Sequence, residues 1–162
     1  LLGSINWGAF VDKPFTEESS FNEDEFREAV RDGVIALNEV LDENIELLPL
    51  EEQKEAAREL RQIGLGDMGI ADMLIKLGIR YGSEECNEFL DRISKIMADE
   101  ALRQSALLAR DNGTFPRYEE EYVLGSPFVQ ENATQETIRL IEKYGLRNSQ
   151  LLTIAPNYWA LI

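Results

Sequence analysis

Leu146-Arg147-Asn148-Ser149-Gln150-Leu151-Leu152-Thr153-Ile154-Ala155-Pro156 is the stretch on which the fold turns. It reads as a helix exit, a polar turn and a short apolar run. Leu151, Leu152, Ile154 and Ala155 are too few for a helix, and Pro156 closes the run. A short apolar run bounded in this way predicts a strand buried on both faces of a sheet. In open α/β sheets, ligands bind at the carboxyl ends of such strands, so the expected site lies at the tip of this one.

Outward from that strand, composition limits what the chain can be. Its 162 residues are 44% hydrophobic and 29% charged, the profile of one globular domain. A chain of this length buries roughly 70% of its unfolded surface. Sixteen basic residues are dispersed among 31 acidic ones, for a net charge of −15. That balance argues against a nucleic-acid surface, because phosphate contacts need clustered Lys and Arg. No apolar stretch approaches the ~20 residues of a membrane span, so no membrane partner is expected. The first residues lack the basic start and apolar core of a signal peptide, and the chain begins without Met. The expectation is a cytoplasmic location and a section of something longer. With no His and a single Cys86, the commonest general base and the Cys-based zinc sites are both excluded. No metal site is expected.

Residues 2–11 alternate loosely and predict a strand, with residues 13–20 as a loop. Asn22 followed by Glu25 has the form of a capping box. Phe26, Ala29, Val30, Gly33, Val34, Leu37, Val40 and Leu41 then recur at helical spacing, predicting an amphipathic helix to about Asn44. After Pro49 comes a second helix over 51–61, with a thin apolar side of Ala56, Ala57 and Leu60.

Residues 62–69 are glycine-rich and lead into a helix that stops at Gly78. A glycine-rich turn ahead of a helix can cradle phosphate, but these residues match neither the P-loop nor the dinucleotide fingerprint. The favoured reading is that Gly64, Gly66 and Gly69 let a strand and a helix approach closely. Ser83, Glu84 and Glu85 open the longest helix, to about Asn112, whose wide apolar face predicts cover on two sides. Cys86 on its first turn, beside two carboxylates, reads as inert. Residues 114–132 read as irregular, with Glu119, Glu120 and Glu121 on a solvated edge. Residues 134–144 form a last short helix with Ile138 and Ile141 inward and Gly145 as its stop. Strands separated by helices predict parallel α/β units in a helix-dominated chain.

Four blocks carry a resemblance: Gly3-Ser4-Ile5-Asn6, the run from Gln62 to Asp72, the run from Gly78 to Glu85, and the opening stretch. Together, in this order, they resemble the large catalytic subunit of ribonucleotide reductase, and most closely its adenosylcobalamin-dependent class. The resemblance implies an α/β fold that is one interior section of a ten-stranded barrel. It implies thiyl-radical conversion of ribonucleotides to deoxyribonucleotides for DNA synthesis, with adenosylcobalamin serving the parent enzyme and no cofactor held by this section alone. The family's Asn-x-Cys-x-Glu loop and a reducing cysteine belong ahead of Leu1, so no catalytic residue is expected here. Ala155 and Pro156 correspond to the start of the substrate-phosphate loop. There the family continues Thr-Gly-Thr, whereas this chain has Asn157-Tyr158-Trp159. Residues 1–156 are therefore expected to be partial catalytic barrel and 157–162 a tail departing from the pattern. A section cut from a barrel is expected to self-associate through exposed strand edges. The alternatives are a stand-alone acidic helical interaction protein and a structural domain without catalysis.

Overall fold

In the computed structural model, which describes residues 1–154, the chain runs β1 (Leu2–Asn6), a 3-10 turn (Trp7–Phe10), β2 (Val11–Asp12), β3 (Ser20–Phe21), α1 (Glu23–Ile45) and α2 (Glu51–Leu60). It continues through β4 (Gly64–Met68), α3 (Ile70–Leu77), α4 (Glu84–Asn112), α5 (Glu120–Leu124), α6 (Pro127–Asn132) and α7 (Gln135–Tyr144). β1 and β4 pair in parallel, Leu2 opposite Gly64 through Asn6 opposite Met68. Parallel neighbours need a crossover, and α1 with α2 provides it. On the other edge of β4, Leu65 bridges Leu152 in parallel, so β4 is the middle member of a three-membered ribbon. The expected parallel α/β units are present and helices dominate.

α1 and α4 form the core that carries this ribbon. Phe26, Val30, Val34, Leu37, Leu41 and Ile45 return at three- and four-residue intervals, and all are buried. α4 buries Ile93, Met97, Ala101 and Leu102, packing between α1 on one side and α7 on the other, as its wide apolar face predicted. Gly33 lets α1 sit against the ribbon, since a Cβ there would lie 3.0 Å from Leu65 Cδ1. Two carboxylates on α4 are buried with partners. Asp99 accepts from the Thr134 N–H at 2.7 Å, and Glu100 accepts from Arg27 Nη1 at 2.9 Å. At the start of α1, the Trp7 and Phe26 rings meet edge to face at 5.3 Å, and Phe10, Phe21 and Phe89 extend the cluster. Each such pair adds about 0.5–1.5 kcal/mol beyond its buried area.

Several expectations are corrected. The strand expected over 2–11 ends at Asn6, because the Asn6 side chain accepts from the Gly8 N–H and caps a 3-10 turn. The loop expected over 13–20 ends in a strand residue, Ser20, which with Phe21 pairs antiparallel to β2. The capping box is half formed: Asn22 accepts from the Glu25 N–H at 3.2 Å, but the Asn22 N–H donates to Phe10 O at 2.8 Å. That leaves Glu25 nothing to reach back to. Val40, expected inward, is exposed, and Asn38 is buried in its stead. Residues 114–132 hold α5 and α6, the second opened by Ser126 with Pro127 at its first position. The strand at the opening stretch is reduced to the Leu152 bridge. Leu151 is buried, but Ile154 is 87% exposed, because among the described residues only β4 flanks this segment.

Candidate functional site

The carboxyl ends of β1 and β4 lie side by side, Asn6 opposite Met68, which is where α/β sheets place their ligands, and the 151–153 segment runs along the other edge of β4 beside Gly64 to Gly66. Asn6 closes β1, and Gly69 follows β4 with φ +73°, a backbone that side chains rarely adopt. A Cβ at Gly69 would collide with Asn6 Oδ1, so glycine is required both by the backbone angle and by the neighbouring strand end. Gly69 O accepts from the Met73 N–H at 2.9 Å, starting α3. The 151–153 segment is admitted to the other edge of β4 the same way. A Cβ at Gly64 would lie 2.8 Å from Thr153 Cγ2, and one at Gly66 would lie 2.8 Å from Thr153 O. The glycines of 62–69 thus serve close approach, chiefly of strand to strand. Nor is this run a phosphate cradle: it is a strand, and its amides at Gly64 and Leu65 donate to Leu1 O and Leu151 O.

A cleft of about 350 Å³ opens at these strand ends. Its floor is apolar, with Trp7, Leu65, Met97 and Phe128, and Asp67, Ser94 and Asn132 are the polar side chains with Thr153 at its rim. No Lys or Arg lines it, so the described part offers no cationic partner for a phosphate. Asp67 is half-buried and forms no ion pair among the described residues.

The opposite, amino end of the ribbon is closed by a buried polar network that the sequence pattern did not disclose. Asn148, 1% exposed, uses its whole side-chain amide. Its Nδ2 donates to Asn38 Oδ1 and to Arg61 O, both at 2.9 Å. Its Oδ1 accepts from Asn38 Nδ2 at 3.1 Å and from Ser105 Oγ at 3.0 Å. Ser105 Oγ also accepts from the Arg147 and Asn148 N–H groups. Arg61, with φ +46° at the end of α2, sends Nη1 to Asp42 at 2.6 Å. Burial holds the Arg147 guanidinium below its ordinary pKa, and the nearby Arg61 charge adds to this. The one sequence signal was Asn38, a polar residue on the apolar stripe of α1.

Among the other residues singled out, Cys86 is 1% exposed, and its N–H donates to Ser83 Oγ. That fits the inert reading. Glu119, Glu120 and Glu121 are all exposed, and among the described residues no cluster of His, Cys, Asp or Glu could hold a metal. Ala155 and Pro156 lie outside the described residues. The residues present do not build a cobalamin site: the chain has no His to offer cobalt, and its one thiol is buried in α4. Among the described residues, no helix is long and apolar enough to cross a membrane.

Comparison with known proteins adds to this geometry. The family model described as "Ribonucleotide reductase, barrel domain" matches residues 1–158. The vitamin B12-dependent ribonucleoside-diphosphate reductase of Thermoplasma acidophilum is 36% identical over 96% of the chain and 17% of its own length. The ribonucleoside-diphosphate reductase subunit alpha of Chlamydia pneumoniae is 32% identical over 96% of the chain and 16% of its own length. A vitamin B12-dependent ribonucleoside-diphosphate reductase of Mycobacterium tuberculosis is 30% identical over 96% of the chain and 19% of its own length. The chain therefore spans less than a fifth of the length of these curated relatives.

Proposed function

The chain belongs to the ribonucleotide reductase family, as part of its barrel domain, and from that premise we propose that it is a scaffold section of a catalytic barrel that reduces ribonucleotides. The observation that carries this reading is the parallel ribbon of β1, β4 and 151–153, in which β1 and β4 end together at Asn6 and Gly69 while Thr153 runs alongside Gly66. A barrel reductase needs such a ribbon to bring strand ends around its substrate. In this reading residues 1–156 are barrel, with Ala155 and Pro156 at the start of the substrate-phosphate loop, and 157–162 depart from the family pattern. The catalytic cysteines and the acid–base pair come from the rest of the parent protein. The parent's substrate is a ribonucleotide and its radical source adenosylcobalamin, an assignment supported by the vitamin B12-dependent relatives.

Expression of the complete open reading frame containing this section tests the proposal. The expected product converts a ribonucleoside diphosphate to its deoxy form with added adenosylcobalamin, while the 162-residue chain alone does not. A complete protein with no Asn-x-Cys-x-Glu loop and no reductase activity would remove the reading. Activity without adenosylcobalamin would remove only the cofactor assignment.

Isolated, the section has a β1 edge unpaired among the described residues and exposed Leu2, Tyr122, Phe128 and Ile154, which favour self-association. Size-exclusion chromatography with near-ultraviolet circular dichroism tests this. A well-packed monomer would count against it and favour a stand-alone domain.

A further inference from the structure

We infer that the buried Asn148–Asn38–Ser105 network is a register clamp, and that Asn148 acts as a positioning residue for nucleotide binding at the far end of the strand it precedes. This rests on the reductase reading given above.

The argument starts from what the third strand lacks. Its pairing with β4 consists, among the described residues, of Ile63 N–H to Gln150 O, Leu65 N–H to Leu151 O and Thr153 N–H to Leu65 O. Side chains on β4 would ordinarily resist sliding, but Gly64 and Gly66 present none, flanking the single Leu65. Of the apolar run only Leu151 is fully buried, with Leu152 partly so and Ile154 exposed, so the run opposes a slip weakly. A slip by two residues keeps every side chain on its own face and moves the strand end by about 6–7 Å.

Further fixing comes from outside the ladder, where the network sits two residues upstream of the first ladder carbonyl. Asn148 is bonded to three separate elements at once. Asn38 belongs to α1, Ser105 to α4, and the Arg61 carbonyl to the residue that closes α2 just before β4. The Ser149 N–H adds a bond to Leu60 O at 3.1 Å. Because the same amide ties the entry of β4 and the entry of the third strand, it sets their relative register directly. All four of its hydrogen-bonding positions are used, so a slipped chain would bury unpaired donors and acceptors, the costliest polar arrangement in an interior. A slip of that size carries the distal end away from a ligand held there, so loss of the clamp weakens binding.

The test uses the full-length reductase that contains this section, with Asn148→Ala, Asn38→Ala and the milder Ser105→Ala, which leaves the Asn–Asn pair intact should the first fail to fold. The expected result is a KM for the ribonucleotide raised about tenfold or more in Asn148→Ala and Asn38→Ala, with kcat within about threefold. The Asn38→Ala/Asn148→Ala double variant is expected to lose little beyond either single change, since both break one unit. Ser105→Ala is expected to shift KM in the same direction by a smaller factor. Amide hydrogen exchange at Leu65 and Thr153 should quicken while that at Ile93 in α4 does not. An unchanged KM in the folded variants, whatever happens to Tm, overturns the positioning role, as would additive effects of Asn38→Ala and Asn148→Ala. If the wild-type protein has no reductase activity, the functional reading falls instead, and the exchange measurement still decides whether the clamp sets the register.

Discussion

The two ends of the parallel ribbon are built from opposite materials. At the amino end, Asn38, Ser105, Asn148 and the Arg61 carbonyl close the strands with side-chain amides that are buried and mutually satisfied. From the middle of β4 to its carboxyl end, Gly66 admits Thr153 and Gly69 admits Asn6 by removing side chains, and a cleft opens beside them. A fully satisfied polar network fixes geometry strongly, because breaking any part strands the rest in an interior where water cannot replace it. Glycines permit close approach but add no restoring force. The division teaches that this section holds its strands at one end so that the other can stay open, a common arrangement for sites carried on rigid elements.

Breaking the amino end should have the largest effect. Asn148→Ala leaves the Asn38 amide, the Arg61 carbonyl and Ser105 short of partners. We expect a loss of roughly 3 kcal/mol or more in urea unfolding. The carboxyl end can be broken sterically. Gly69→Ala forces a side chain into both a left-handed backbone and Asn6 Oδ1, and should cost about 2–3 kcal/mol. Gly78→Ala separates those two causes, since Gly78 has φ +74° but open space around its Cβ position. Its expected cost is only about 1 kcal/mol, and a loss equal to that of Gly69→Ala would show that Asn6 contributes nothing.

A pH measurement examines the flank of the network. Tyr118 packs against Phe115, its hydroxyl is buried without a partner among the described residues, and burial followed by the Glu120 charge raises its pKa. The folded chain thus favours the neutral phenol. Its contribution is fully present below the unfolded value of about 10 and is lost as pH rises through the folded value. Tyr118→Phe should flatten the alkaline fall in stability, and the phenolate absorbance of the wild type should appear later than that of a free tyrosine. The smallest effect belongs to the solvated edge. Glu120→Gln should change stability by no more than about 0.5 kcal/mol at neutral pH, measured by urea unfolding.

Local signals located most of the long elements. Asn22 opens α1, Ser83 and Gly113 bracket α4, Gly78 ends α3, and Gly145 ends α7, because caps satisfy backbone groups within a few residues. The turn after Asn6 was not legible, since its alternating residues suit a strand until the Asn6 side chain binds Gly8. α5 and α6 were hidden by their shortness, although Ser126-Pro127 is a helix-start signal. Of the candidate site, the glycines were visible and their purpose partly so. The partners they admit, Thr153 and Asn6, lie across the sheet and leave no trace in local spacing.

By itself, the amino-acid sequence determined the helix periods, the caps, the parallel α/β class and, through four ordered blocks, the resemblance to ribonucleotide reductase. Periodicity and capping are interactions between near neighbours, so they survive in one dimension. Only the tertiary structure decided that the polar turn Asn148-Ser149 is interior and that its amide meets Asn38 from a helix more than a hundred positions earlier. A buried hydrogen bond between distant residues has no sequence period, and its partner is chosen only when the chain closes on itself.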